Sequence, residues 1–226
     1  MVKYSTLSEI ISKNDGVALS DFPYLTKEIV SAAIGKKEEA LNYWIKRLRK
    51  TGDLISLKKN LYISTIFMRS IKNQPALFDR YREYLAQVIR QPSYLSLEYV
   101  LAKNNIIEEI PFALTSITLK SSRRFTCELG TFMYRNMNRV LFTGYRESYF
   151  LEKRYYTATP IKALFDYLYL KNLGRSGIAD TLTDDMRINW DAFKKTDRKE
   201  FEQYVLLSKQ KKMEKIMNII ITRNLI

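Results

Sequence analysis

Residues 38–64 read EEALNYWIKRLRKTGDLISLKKNLYIS, and this stretch decides the fold of the N-terminal third. Leu41, Trp44, Ile45 and Leu48 fall at i, i+3, i+4 and i+7, which predicts a helix from Glu38 to Thr51 with one apolar stripe. The other face carries Glu39, Asn42, Tyr43, Lys46, Arg49 and Lys50. Thr51-Gly52-Asp53 ends the helix, because glycine tolerates the left-handed conformation wanted just past a helix C-terminus. A hairpin follows: LISL, a Lys58-Lys59-Asn60 turn, and LYIS, both arms alternating and rich in β-branched or aromatic residues.

Upstream, Ser5-Thr6 precede Leu7, Ile10 and Ile11 at the spacing of a short amphipathic helix that Asn14-Asp15-Gly16 stops. A second short helix is expected between Asp21 and Ala33, with Pro23 blurring its start. Three helices closed by a two-stranded basic hairpin form the winged helix-turn-helix plan. Within it, residues 46–59 hold Lys46, Arg47, Arg49, Lys50, Lys58 and Lys59 against Asp53 alone. A helix whose apolar stripe is buried can lie in the major groove of duplex DNA, with Asn42, Tyr43, Lys46, Arg47, Arg49 and Lys50 near base edges and phosphates. Lys58 and Lys59 at the wing tip then meet the flanking backbone, a contact that adds affinity through counterion release without sequence information. The same pattern also fits a small α/β domain whose third helix merely faces solvent.

Composition agrees with an anionic partner. The 226 residues include 38 Lys+Arg against 24 Asp+Glu, a formal net charge of +14, and such a surplus favours nucleic acid. The excess is spread: 11 basic against 7 acidic residues in 1–66, 15 against 9 in 67–170, and 12 against 8 in 171–226. There is no histidine, which removes imidazole bases, histidine-ligated metals and Ser-His or Cys-His nucleophiles. Cys127 is the single cysteine, too few for an internal disulfide or a cysteine-cluster zinc site and in keeping with a reducing cytoplasm. No apolar run is long enough to span a membrane, and MVKYSTLSEI lacks a signal-peptide core. A soluble, cytoplasmic protein is expected.

The remainder reads as a separate α+β half. Residues 65–75 show no sustained period and end in Pro75, so they are taken as the passage between domains. Ala76 to Gln91 is helical, with Leu77, Tyr81, Tyr84, Leu85 and Val88 on one face, and Pro92 ends it. Ser96 caps a short helix through Lys103, and Ile106 to Pro111 is a loop. Period two then appears: Leu114, Ser116, Thr118 and Lys120 alternate with Thr115, Ile117 and Leu119, RFTCELGTFMYR gives two strands around Leu129-Gly130, and VLFTGY gives another strand. Helix returns at Pro160, with Ala163, Leu164, Tyr167 and Leu168 on one side. The end of the chain is helix-rich, and its Met213, Ile216, Met217 and Ile220 repeat packs on the domain or on a second copy. The resulting division is a winged helix over 1–66, a linker and connecting helix over 67–91, and an α+β domain over 92–226.

Chemistry is hard to find in this half. Asp180, Asp184 and Asp185 suit helix caps better than a metal site, no glycine-rich phosphate loop occurs, and neither cofactor, metal nor catalytic residue is assigned. The chain has 16 tyrosines. Tyr145, Tyr149, Tyr155 and Tyr156 are interleaved with Arg123, Arg124, Arg135, Arg139, Arg146 and Arg154, and of these Arg123, Arg124, Arg135, Arg139, Tyr145 and Arg146 are the expected second surface for a protein or RNA partner. Half-buried sheet positions favour tyrosine equally well.

A set of short motifs is shared with a known group. They are Leu48, Thr51-Gly52-Asp53-Leu54-Ile55 and Asn60-Leu61-Tyr62; then Tyr94-Leu95-Ser96, Ile110-Pro111, Thr115, Thr118, Gly130-Thr131-Phe132 and Tyr134-Arg135; and finally Phe142, Gly144-Tyr145, Ala158-Thr159-Pro160-Ile161-Lys162-Ala163-Leu164 and Asp166. Over about residues 4–170 the chain resembles the AbiEi family of abortive-infection type IV antitoxins, which join a winged helix to an antitoxin domain. Ile161 stands where the family pattern has an acid. The resemblance implies a repressor of its own two-gene operon, bound at inverted repeats as at least two copies. It also implies a C-terminal domain that counters a nucleotidyltransferase toxin encoded beside it, a phage-defence role that needs no stable toxin complex. Two other readings remain open: a repressor of an unrelated system with a C-terminal sensor, and an RNA-binding protein or metal-dependent nuclease.

Overall fold

The computed structural model describes residues 22–173 and 177–226, the side chain of Asp184 excepted. The helix expected around Leu7, Ile10 and Ile11 lies outside the described residues. The chain is α+β and divides into two compact units. One holds the described residues up to Leu85 together with Phe125–Leu129; the other holds Ala86–Arg124 and Gly130–Ile226.

In the first unit, β1 (Leu25–Thr26) leads into α1 (Lys27–Ile34). Thr26 caps that helix by accepting a hydrogen bond from the Ile29 amide at 3.4 Å. Gly35 ends it at φ 66°, donating its amide to the Ser31 carbonyl. Only residues 35–37 separate α1 from α2 (Glu38–Lys50), so a glycine-containing turn of three residues joins two helices. α2 buries Leu41, Ile45 and Leu48, the stripe read from its spacing. It begins with Glu38 and Glu39 and ends with Arg47, Arg49 and Lys50, matching the polarity of the helix dipole at both ends.

Strands β2 (Leu54–Lys58) and β3 (Leu61–Ser64) make the hairpin, and β1 pairs with β3 to give a three-stranded sheet in the order β1-β3-β2. The turn is tighter than the sequence suggests. Lys58 still pairs with Leu61, and Asn60 takes the left-handed conformation at φ 61° that asparagine tolerates. Leu25, Val30, Leu41, Ile45, Leu48 and Leu54 form one apolar core beneath both helices and the hairpin.

Residues 65–75 do not form a plain passage. Thr65–Lys72 is a helix, α3, whose N-cap Ser64 accepts from the Ile66 amide. It buries Phe67 and Ile71, a single i, i+4 pair, too little signal for a periodicity reading. α4 (Pro75–Ile89) follows, with Tyr81 and Leu85 fully buried. Tyr81 packs on Phe67 and donates its hydroxyl to the Pro23 carbonyl. These contacts hold residues 67–85 in the first unit, whereas the sequence placed them in a linker and connecting helix.

The second unit holds five strands of a six-stranded mixed sheet ordered β6-β7-β5-β4-β9-β8, and of β6 only Arg123 and Arg124. The strands of the sheet are β4 (Ser93–Leu95), β5 (Ala113–Thr118), β6 (Arg123–Cys127), β7 (Gly130–Asn136), β8 (Tyr145–Phe150) and β9 (Lys153–Ala158). β5 runs parallel to β7 and β4 parallel to β9, while β4–β5 and β8–β9 are antiparallel. The residues VLFTGY are not one strand. Arg139–Leu141 is a 3-10 turn capped by Asn138, Gly144 has φ 74°, and the strand starts at Tyr145. The cap and the positive-φ glycine break the extended backbone that the apolar residues alone would suggest.

Among the described residues the unit's longer helices are α5 (Leu97–Lys103), α6 (Pro160–Leu170), α7 (Lys195–Ser208) and α8 (Lys211–Thr222), with short helical turns at Ile178–Asp180, Thr181–Asp185 and Trp190–Ala192. α6 is the central one, buried at every position from Ile161 to Leu168. Met213, Ile216, Met217 and Ile220 of α8 are buried within the unit, which settles where that repeat packs. Among the described residues no helix is long and apolar enough to cross a membrane.

Candidate nucleic-acid interface

α2 presents two faces that differ sharply in chemistry. Leu41 and Leu48 face the core, while Asn42, Tyr43, Lys46, Arg49 and Lys50 are exposed. Tyr43 is 64% accessible, an unusual place for a large aromatic, and sits edge-to-face with Trp44. Arg47 is held differently: its guanidinium stacks over the Trp44 ring at 5.0 Å, a cation–π contact that fixes its direction along the helix. At the hairpin, Lys59 is exposed at the tip and Lys58 half-buried at the end of β2. The first turn of α2 carries Glu38 and Glu39, so the cationic part of this helix is its C-terminal end, running from Lys46 to Lys50.

The base of the hairpin is fixed to the helix end. Thr51 donates its hydroxyl to the Asp53 carboxylate at 2.7 Å, and the Asp53 carbonyl accepts from both the amide and the hydroxyl of Thr65 at 3.0 Å. Asp53, the one acid among residues 46–59, is therefore occupied within the turn. Sequence reading did not pick out Gly35, although a glycine midway between two short amphipathic segments is the available signal for a helix-turn-helix bend.

The six residues expected on a second surface are not brought together. Arg123 and Arg124 lie on β6 and Arg135 on the neighbouring β7, all exposed. Arg124 stacks over the Phe112 ring at 5.6 Å. Tyr145 and Arg146 lie on β8, at the opposite edge of the six-strand order, and Arg139 sits in the 3-10 turn between β7 and β8. Tyr145 is half-buried and stacks on Tyr94 with ring centroids 4.8 Å apart.

The motifs Tyr94-Leu95-Ser96, Gly144-Tyr145 and Thr159 to Asp166 do converge, on a buried ion pair. Lys162 and Asp166 are both fully inaccessible to solvent, and the Lys162 ammonium donates to Asp166 Oδ1. Asp166 Oδ2 accepts from Ser96 Oγ at 2.8 Å and Tyr94 Oη at 3.0 Å. Ser96 therefore gives its hydroxyl to Asp166, and makes no side-chain cap on α5. The Lys162 ammonium is ringed by aromatics, 4.9 Å from the Phe165 centroid and 5.1 Å from that of Tyr204. Tyr204 in turn donates to Glu200 Oε1 at 2.6 Å, as does Thr159 at 3.1 Å.

Burial pushes Lys162 below the ordinary lysine value, opposed by the attraction of Asp166. It pushes Asp166 above the ordinary carboxylate value, opposed by Lys162 and the two hydroxyl donors. Lys162 and Asp166 four residues apart in an otherwise apolar helix are the sequence signal for this network. Enclosed and internally satisfied, it joins β4, α6 and α7. Against known proteins, no family model matches the chain and no curated protein shows significant similarity.

Proposed function

We propose that the first unit is a winged helix-turn-helix that binds duplex DNA, and that the chain is a cytoplasmic autorepressor and antitoxin. One observation carries the DNA reading: α2 buries Leu41, Ile45 and Leu48 while Asn42, Tyr43, Lys46, Arg49 and Lys50 stand exposed, directly before a hairpin tipped by Lys59. α1, the Gly35 turn and α2 are the helix-turn-helix, α2 is the recognition helix, and β2–β3 is the wing. Lys46, Arg49 and Lys50 meet phosphates, Asn42 and Tyr43 meet base edges, and Lys59 meets the flanking backbone. The antitoxin role rests on the resemblance to AbiEi proteins. Under it the operator is an inverted repeat in front of the chain's own operon, occupied by two copies, and the opposing toxin is a nucleotidyltransferase.

The test is fluorescence anisotropy of the purified protein on its own upstream DNA and on a scrambled duplex, each at two salt concentrations. Preferred binding to the upstream DNA that weakens steeply with salt is expected. Equal and weak binding to both duplexes overturns the repressor. Growth rescue from the neighbouring gene product then tests the antitoxin role separately.

A further inference from the structure

A pocket of about 440 Å³ opens in the second unit between residues 87–93 and the β8–β9 edge of the sheet. Its volume is within the range of small-ligand sites, about 300–1,000 Å³. The walls are aromatic. Phe142, Tyr145 and Tyr156 are each half-buried, with centroids 5.6 Å apart for Phe142–Tyr145 and 5.2 Å for Tyr145–Tyr156. Behind them Tyr94 stacks on Tyr145, so that ring is backed on its inner side and held in place.

The polar groups at the rim are of a particular kind. Gln87 and Gln91 bring carboxamides, which have both donors and acceptors. Gln87 Oε1 accepts the Tyr156 amide at 2.9 Å, which fixes the side chain and leaves its NH₂ as the end able to donate. Ser93 also lines the pocket. It is 3% accessible, and its hydroxyl has no hydrogen-bond partner, a state that a buried polar group seldom keeps without a ligand or water. Arg154 lies over the Tyr156 ring at 5.5 Å and uses Nη1 on Glu147 at 2.8 Å, with further guanidinium donors remaining for an anion.

We propose that this pocket binds a nucleotide: a base against Tyr145 and Tyr156, its edge read by Gln87 and Gln91, and its phosphate on Arg154. Aromatic platforms, carboxamides and a guanidinium are the groups with which proteins take up an unstacked base and its backbone. Purely apolar ligands would leave the two carboxamides and the serine hydroxyl unanswered, and an acidic peptide would use the arginine but not the aromatic walls. The nucleotide comes either free or as one unit of a single strand, and the site is separate from the duplex-binding face proposed on α2.

Two titrations on the full chain distinguish the sources: the four ribonucleoside 5′-monophosphates followed by saturation-transfer NMR, and a fluorescein-labelled eight-nucleotide RNA followed by anisotropy. Saturable binding of the monophosphates marks a free-nucleotide site. Binding of the RNA alone marks a single-strand site. Tyr156→Ala is expected to weaken whichever binds by about 5- to 100-fold, in line with one lost base stack, while Tyr156→Phe retains it. Gln91→Ala, at an exposed position, is expected to change the preference among bases with the fold intact. Absence of saturable binding by either probe overturns the proposal, as does binding that neither Tyr156→Ala nor Gln91→Ala alters. Operator binding, read in parallel on duplex DNA, stays unchanged in these variants, so failure of this site and failure of the repressor reading are told apart.

Discussion

Lys46 and Lys162 are the same residue type on helices of similar length, 13 residues for α2 and 11 for α6, and they do opposite things. α2 buries a narrow stripe and holds Lys46 in water, where a charge is cheap to keep and free to meet phosphate. α6 is buried from Ile161 to Leu168, and Lys162 inside it meets three aromatic rings and a carboxylate whose other oxygen is held by two hydroxyls. A charge in low dielectric persists only when every such partner is in place. Cations at the surface are therefore expected to govern binding, and the buried cation to govern the integrity of the second unit.

The largest effect expected from this contrast is that of Lys162→Met. The substitution leaves Asp166 buried without its counter-ion, and unpaired buried charges of this kind cost about 3–5 kcal/mol. Urea unfolding followed by tyrosine fluorescence measures it. Adding Asp166→Leu removes the unpaired charge and recovers part of the loss, the buried Ser96 and Tyr94 hydroxyls still losing their acceptor. An unchanged unfolding midpoint in Lys162→Met would show that the pair is not structural.

Gly144→Ala comes next. Gly144 has φ 74°, and an added Cβ runs into Tyr204 Oη and comes within 2.8 Å of Lys162 Cγ. Left-handed backbone in a residue with a side chain together with overpacking is expected to destabilise by about 2–4 kcal/mol. Hydrogen exchange localises the damage: loss of protection in α6 and α7 with the first unit unaltered is the expected pattern, and uniform loss across both units contradicts it.

How much of this was legible in the sequence follows from the same physics. α2 was readable because four apolar residues recur at helical spacing and Gly52 punctuates them, and the hairpin because its arms alternate around Lys59-Asn60. α3 was not, since Phe67 and Ile71 are one apolar pair with no recurrence. VLFTGY misled because its apolar and aromatic residues favour a strand locally while the Asn138 cap and Gly144 break it. Arg123, Arg124, Arg135, Tyr145 and Arg146 were grouped by neighbourhood in the chain, but a parallel β5–β7 pairing sends β6 and β8 to opposite edges of the sheet. That crossover is a long-range pairing, and no local pattern encodes it. The residues around Lys162 were visible as motifs, and only the fold shows that Tyr94, Ser96 and Asp166 meet.

On the exposed side of the comparison, Lys46→Ala with Arg49→Ala is expected to change folding stability by no more than about 0.5 kcal/mol. The same pair weakens operator binding by about 10- to 100-fold and lowers the salt slope by about 2. Anisotropy at 50 and 200 mM salt checks both, and full affinity in the double variant removes α2 from the interface.

The smallest expected effect separates the wing from the helix. Lys59 is exposed at the hairpin tip, where the proposed function gives it a backbone phosphate and no base edge. Neutralising one phosphate contact lowers the slope of log K against log salt by about 0.9. Lys59→Ala is therefore expected to weaken the upstream duplex and the scrambled duplex by the same factor, leaving their ratio unchanged, because phosphate carries no sequence. Asn42→Ala is the counterpart: it removes a group placed to read a base edge, so the ratio falls while the salt slope stays. If Lys59→Ala lowers the ratio and Asn42→Ala does not, sequence is read by the wing and α2 is the backbone clamp, which inverts the assignment while keeping the same surface.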